Sequence, residues 1–345
     1  MPFPHVLYGK FAIKSTANKP VKWRVLLPGR ALVAGLASVV ASWCLLPSLA
    51  AAAPARALQV TDDRGAVVRF VQSPLRIVSL LPALTESICA LDQCHRLVGV
   101  DRYSNYPASV QHLPQVGGGM DPNIEAIAAL RPDVVLLAMS SRVSERLESL
   151  GIKVVALEPK RHADVRRVLS VLGTLLQIPE AEGADHIWRT LNAGISAAAR
   201  SIPANAKGWQ VYFEVSPGPY AASEASFIGE TLTRLGMKNT VPAALGPFPL
   251  INPEFVVRAN PDIIMAGNRS MQAMGAYPGW SGIRAVQAGR LCAFTSLQAD
   301  VLVRPGPRMA EAARTMAQCI AEQASKPVPP ASTGVARPPV KAGKI

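Results

Sequence analysis

Residues 179–201 read PEAEGADHIWRTLNAGISAAARS. Pro179 suits the first position of a helix, where its missing N–H costs nothing, and Glu180 and Glu182 place negative charge against the positive end of the helix dipole. Ala184, Ile187, Trp188, Leu191, Ile195 and Ala198 then recur at steps of three and four, an apolar stripe on a polar rod that Pro203 closes. The spacing predicts one helix over 179–202, roughly 34 Å long. Similar text stands on either side of it: EAIAALRPDVVL (125–136) before and EFVVRANPDIIM (254–265) after, with eight residues from glutamate to aspartate in both. Each copy predicts a short helix stopped at proline and a β-branched run that reads as a buried parallel strand. Two copies around one helix predict an α/β fold of two Rossmann-like lobes with parallel sheets, residues 58–178 and 203–324, joined by that single long helix.

Composition is that of a globular chain with room for two domains: 345 residues, 49% apolar, 17% charged. The net charge of +13 is concentrated at the ends. Residues 1–57 carry seven Lys or Arg and residues 325–345 carry four, with no acid in either; removing these eleven leaves +2 for the part between. A nearly neutral body does not point to nucleic acid as a partner. The basic start, the apolar run 31–49 and the small residues 50–53 read as an export signal within 1–57, an uncleaved anchor being the other reading of so long a run. Residues 325–345 are a Pro-rich tail expected to be disordered. Export permits disulfides. Cys89 and Cys94 flank a predicted helix end and are the candidate bridge, whereas Cys292, in RLCAF, reads as a buried strand thiol.

Along the chain, 58–71 reads as a hairpin turning at Asp63-Arg64-Gly65, and 76–81 as a strand ended by Pro82, with a helix from Thr85. Strands follow at 97–100, 134–138 and 152–157, with a helix at 143–150. After the predicted spine come strands at 209–215, 262–266 and 291–294, a helix at 227–235 and a last helix from Arg308. No nucleophile-elbow, zinc-protease, Walker or dinucleotide motif is present, and Gly117-Gly118-Gly119 lacks the lysine of a phosphate loop. The positive signal is aromatic residues in loops at strand ends. Tyr103 and Tyr106 stand in the first half, Tyr220, Phe248 and Trp280 in the second, as surfaces for a large planar ligand or as ordinary loop packing. Asp300 and Arg304 either pair with each other or offer a donor and acceptor set to ligand amides.

RIVSLLPALTE (76–86), GVDRYSNYP (99–107), PNIE (122–125) and RPDVV (131–135) resemble the periplasmic solute-binding proteins whose lobes are joined by one rigid helix, and within them the cobalamin-binding members of vitamin importers. The likeness covers about residues 58–322. It implies a ligand site at Pro82, Tyr103, Tyr220, Phe248, Asp300 and Arg304, and glutamates at 125 and 254 that meet arginines of the transporter. Tryptophans of those relatives fall at about Gly119 and Met139 here. The function expected is therefore capture of a corrinoid by a monomeric periplasmic protein, without catalysis, cofactor or resident metal, and delivery to the membrane subunits of an ABC importer. Haem or a ferric siderophore is the rival ligand, and a two-lobe glycosyltransferase-like enzyme the rival class, which would want a nucleotide-diphosphate site.

Overall fold

Short β-branched runs, buried on both faces, form the middle of each half of the chain. The computed structural model describes residues 58–326; the predicted export signal and most of the Pro-rich tail lie outside them. The first lobe opens with the antiparallel hairpin β1 (Leu58–Thr61) and β2 (Val67–Phe70), in register Leu58 with Phe70. Its turn is organised by the buried Asp62, whose carboxylate accepts the N–H groups of Arg64, Ala66 and Ala156.

The chain then builds β3 (Ile77–Ser79), α1 (Pro82–Ala90), β4 (Leu97–Val100), α2 (Ile124–Ala129), β5 (Val134–Leu137), α3 (Ser144–Ser149) and β6 (Val154–Ala156). The sheet order is β4-β3-β5-β6, all parallel, which requires the crossover connections that the intervening helices supply. Pro82 opens α1 instead of merely ending β3, because the first helical position needs no N–H. A helix absent from the sequence expectation, α4 (His162–Leu176), follows β6. Val165, Val168, Leu169, Leu172 and Leu176 form its buried stripe, and Asp164 caps it by accepting the Arg161 N–H at 2.9 Å.

The joining helix is shorter than its sequence promised. Residues 179–183 are turns, and α5 (Ala184–Arg200) starts only after Gly183. A Cβ at Gly183 would lie 2.9 Å from Ile178 Cγ2 and 3.1 Å from Leu91 Cδ2, so the chain needs glycine to pass the first lobe there. Nor is α5 a free rod. Its buried residues Ala184, Leu191, Ile195 and Ala198 belong to the second lobe's core, while Ile187 touches the cores of both lobes.

The second lobe comprises β7 (Gln210–Ser216), β8 (Tyr220–Ala221), α6 (Phe227–Arg234), β9 (Lys238–Asn239), α7 (Pro253–Ala259), β10 (Ile263–Gly267), α8 (Asn268–Met274), α9 (Arg284–Gln287), β11 (Leu291–Phe294), α10 (Ser296–Leu302) and α11 (Met309–Ala324). Its sheet order is β11-β10-β7-β8 with β9 also on β7; only β8 is antiparallel. On α5, Gly194 admits α11 closely, since a Cβ there would be 2.6 Å from Ala310 Cβ. Cys292 is not a free thiol: it bridges to Cys319 and ties β11 to α11, while a second disulfide joins Cys89 to Cys94.

The internal repeat has a structural reason. Asp133 accepts the Leu75 and Arg76 N–H groups at 2.8 Å, bracing the start of β3; Asp262 accepts the Gln210 N–H at 2.9 Å, bracing the start of β7. Before each Pro-Asp pair a residue turns left-handed, Arg131 at φ 45° and Asn260 at φ 46°, and releases the chain from its helix into the strand.

Candidate functional site

Loops at the C-terminal ends of parallel strands converge from both lobes on a cleft of about 580 Å³. Pro82 and Tyr103 of the first lobe line it, and Phe248, Asp300 and Arg304 of the second. Tyr103 is aimed by the buried Asp101 just after β4, whose Oδ2 accepts the Tyr103 N–H at 3.0 Å; the residue is 59% exposed. Burial pushes the Asp101 carboxyl upward, and the Ser104 hydroxyl and the Tyr103 N–H partly offset this. Across the cleft Phe248 meets Phe227 edge-on, centroids 5.9 Å apart, so one face of the wall is aromatic. Glu158 and Lys160 also line the cleft. Neither stood out in the sequence, although both lie within three residues of the end of the predicted strand 152–157.

Arg304 does not reach into the cleft as a free donor. It is 8% exposed, its Nη1 donating to Glu86 Oε1 at 2.9 Å and to Asn105 Oδ1 at 2.8 Å, its Nη2 to the Tyr103 carbonyl at 2.9 Å. Asp300 is 3.1 Å from the same guanidinium and accepts Asn105 Nδ2 at 2.8 Å. Of the two readings open in the sequence, mutual pairing is the one observed. Arg308 completes the group, Nε donating to Glu86 Oε2 at 2.9 Å; burial would lower its pKa, but Glu86 beside it raises it. Two arginines and two carboxylates balance, and of the bonds just named only the Arg304–Asp300 pair lies within one lobe; the others join residues of the two lobes. Glu86 and Asn105 carried no signal in the sequence.

Other expected residues lie elsewhere. Tyr220 is half-exposed on β8 and pairs across to Leu250, outside the cleft lining. Tyr106 covers the far side of the ion network, with the Arg308 guanidinium 4.0 Å from its ring centroid. Trp280 is core: 3% exposed, edge-on to Tyr212 at 5.8 Å, Nε1 donating to the Pro253 carbonyl. Gly117 sits at φ 95° and a Cβ there would be 2.6 Å from the Asp121 carbonyl oxygen, so the glycine run serves a tight turn. Where the resemblance has tryptophans, Gly119 lies with its backbone against Leu80 and Met139 is 45% exposed.

Glu125 and Glu254 are exposed in the first turns of α2 and α7. Capping falls to their neighbours. Asn123 accepts the Ala126 N–H at 2.8 Å and Asn252 the Glu254 N–H at 2.9 Å, leaving both glutamates facing solvent, Glu254 with Arg258 at 3.8 Å.

Against known proteins, the chain is 29% identical over 275 residues to an uncharacterized ABC transporter substrate-binding lipoprotein of Bacillus subtilis, covering 76% of this chain and 84% of the relative. It is 26% identical over 255 residues to the vitamin B12-binding protein of Pectobacterium atrosepticum, 72% and 89% of the two chains. A periplasmic heme binding protein from Pseudomonas aeruginosa superposes with a TM-score of 0.61 at 25% identity, over 72% of this chain and 93% of that one. With the two-lobe fold in place and the family model matched over residues 77–296, the chain belongs to the periplasmic binding proteins.

Proposed function

We propose that this protein is the substrate-binding component of an ABC importer, and that it seats a corrinoid in the cleft between its lobes and hands it to the membrane subunits. The observation that carries the reading is the opposition of the exposed Tyr103 ring, from one lobe, to Phe248, from the other, across a mainly apolar cleft of about 580 Å³. Flat apolar walls suit the faces of a macrocycle, and the polar rim at Glu158, Lys160 and Asp300 suits its substituents. The vitamin B12-binding relative supports the choice of ligand. In this reading the protein acts as a periplasmic monomer and performs no catalysis, and Glu125 and Glu254 set its register on two copies of a basic membrane subunit.

Haem or a ferric siderophore is the second ligand reading. It is favoured by the Tyr103 hydroxyl, which makes no hydrogen bond to the described residues and stands at the cleft where a phenolate could meet iron. The heme-binding neighbour is of the same fold. Calorimetric and spectral titration of the purified protein with cobalamin, cobinamide, haemin and ferric chelates separates them. Micromolar or tighter corrinoid binding is expected; heat and a visible-band shift with haemin or a ferric chelate alone would transfer the assignment.

A further inference from the structure

Beside the main cleft lies a second cavity of about 280 Å³, at the C-terminal ends of β7, β10 and β11. Asp300 and Val303 line both, so the two spaces share one wall. Its lining is about half polar where the cleft's is mainly apolar: Glu214, Asn268, Arg269, Ser270, Ser296 and Asp300 contribute, beside apolar residues such as Phe213 and Phe294. Glu214 is 1% exposed. Its Oε2 accepts the Tyr212 hydroxyl at 3.2 Å, while its Oε1, buried, has no hydrogen-bond partner among the described residues within normal geometry, the buried Ser270 hydroxyl being the polar group beside the carboxyl. A buried acceptor left without a donor costs free energy, and a donor brought into the adjoining cavity would relieve that cost. At the rim Arg269 is exposed and forms no ion pair among the described residues.

An acceptor within and donors at the rim define the complement: a planar group whose N–H points inward and whose carbonyl points outward. We propose that this cavity is a side compartment of the ligand site that seats a primary carboxamide arm of the ligand, with Glu214 Oε1 accepting its N–H and the Arg269 and Asn268 side chains donating to its carbonyl. The wall residues Asp300 and Val303 are where such an arm enters from the cleft. This rests on the reading of the cleft as the binding site of an amide-bearing macrocycle.

Dicyanocobinamide, which carries carboxamide arms, is titrated calorimetrically into the purified protein and two variants. Glu214→Leu removes the acceptor; Asn268→Trp fills the cavity from an exposed position that does not line the main cleft, and so remains informative if the first variant folds poorly. The expected result is at least a tenfold loss of affinity in each folded variant. Unchanged affinity in Asn268→Trp overturns the proposal. If the unmodified protein binds no corrinoid, the corrinoid reading fails by itself, and propionamide then decides the cavity: a shift of the Glu214 carboxyl ¹³C resonance on titration, absent in Asn268→Trp, supports the compartment, and no shift overturns it.

Discussion

Arg304 of the second lobe and Glu86 of the first form a buried pair across the lobe boundary, Nη1 to Oε1 at 2.9 Å with side chains 8% and 1% exposed. Arg308 grips the same carboxylate, and Asn105 Oδ1 and the Tyr103 carbonyl also accept from Arg304. The bonds join α1, the loop after β4 and the segment between α10 and α11, so they fix the two lobes to each other at the floor of the cleft.

Removing one member of so buried a network leaves the others charged and unpaired, at a cost of about 3–5 kcal/mol. Glu86→Ala should therefore lower stability by that amount and the melting temperature by roughly 6–20 °C. Arg304→Ala should weaken ligand binding as well, by releasing Tyr103 instead of by removing a ligand contact. Chemical and thermal unfolding check the first; a loss below about 1 kcal/mol would place the pair in the range of exposed bridges.

Lobes clamped in this way should hardly move on loading. Scattering curves with and without saturating cobinamide should superimpose. A fall of several ångströms in the radius of gyration would show that the clamp opens.

Burial raises the Glu214 carboxyl from its ordinary 4.5 to about 7, the neighbouring Ser270 and Tyr212 hydroxyls offsetting part of the effect; Arg269 and Asp300 in the cavity lining and the Tyr277 phenol are the other ionisable groups nearby. Between those pH values the folded chain holds a proton that the unfolded chain has released, so stability falls as pH rises from 4.5 to 7. The full loss is on the order of 3 kcal/mol. Glu214→Gln should flatten this part of the profile and be the more stable protein at pH 8, as unfolding curves across pH 4–8 would register.

Because Asn123 and Asn252 cap α2 and α7, replacing both Glu125 and Glu254 by alanine should cost little stability, under about 1 kcal/mol in total. Replacing the two asparagines should cost about 0.5–2 kcal/mol each. The glutamate pair should leave cobinamide affinity unchanged and impair docking and uptake. Normal uptake by the double variant would remove the docking role.

Local pattern was enough for most of the architecture. Alternation of β-branched runs with three-and-four periodicity marked the strands and most helices, and the repeated Pro-Asp marked two equivalent lobes, because burial face and helix stops are set by residues a few positions apart. The same rule covers α4, whose valines and leucines are equally periodic. Of the cleft lining, Pro82, Tyr103, Phe248, Asp300 and Arg304 were named from the sequence, while Glu158 and Lys160 were not, although they lie just after a predicted strand. Glu86 and Arg304 are 218 residues apart. Nothing local told Arg304 to turn toward Glu86, Trp280 to enter the core, or Glu214 to lie buried beside a cavity; these depend on distances across packed elements, which exist only once the lobes have folded and docked.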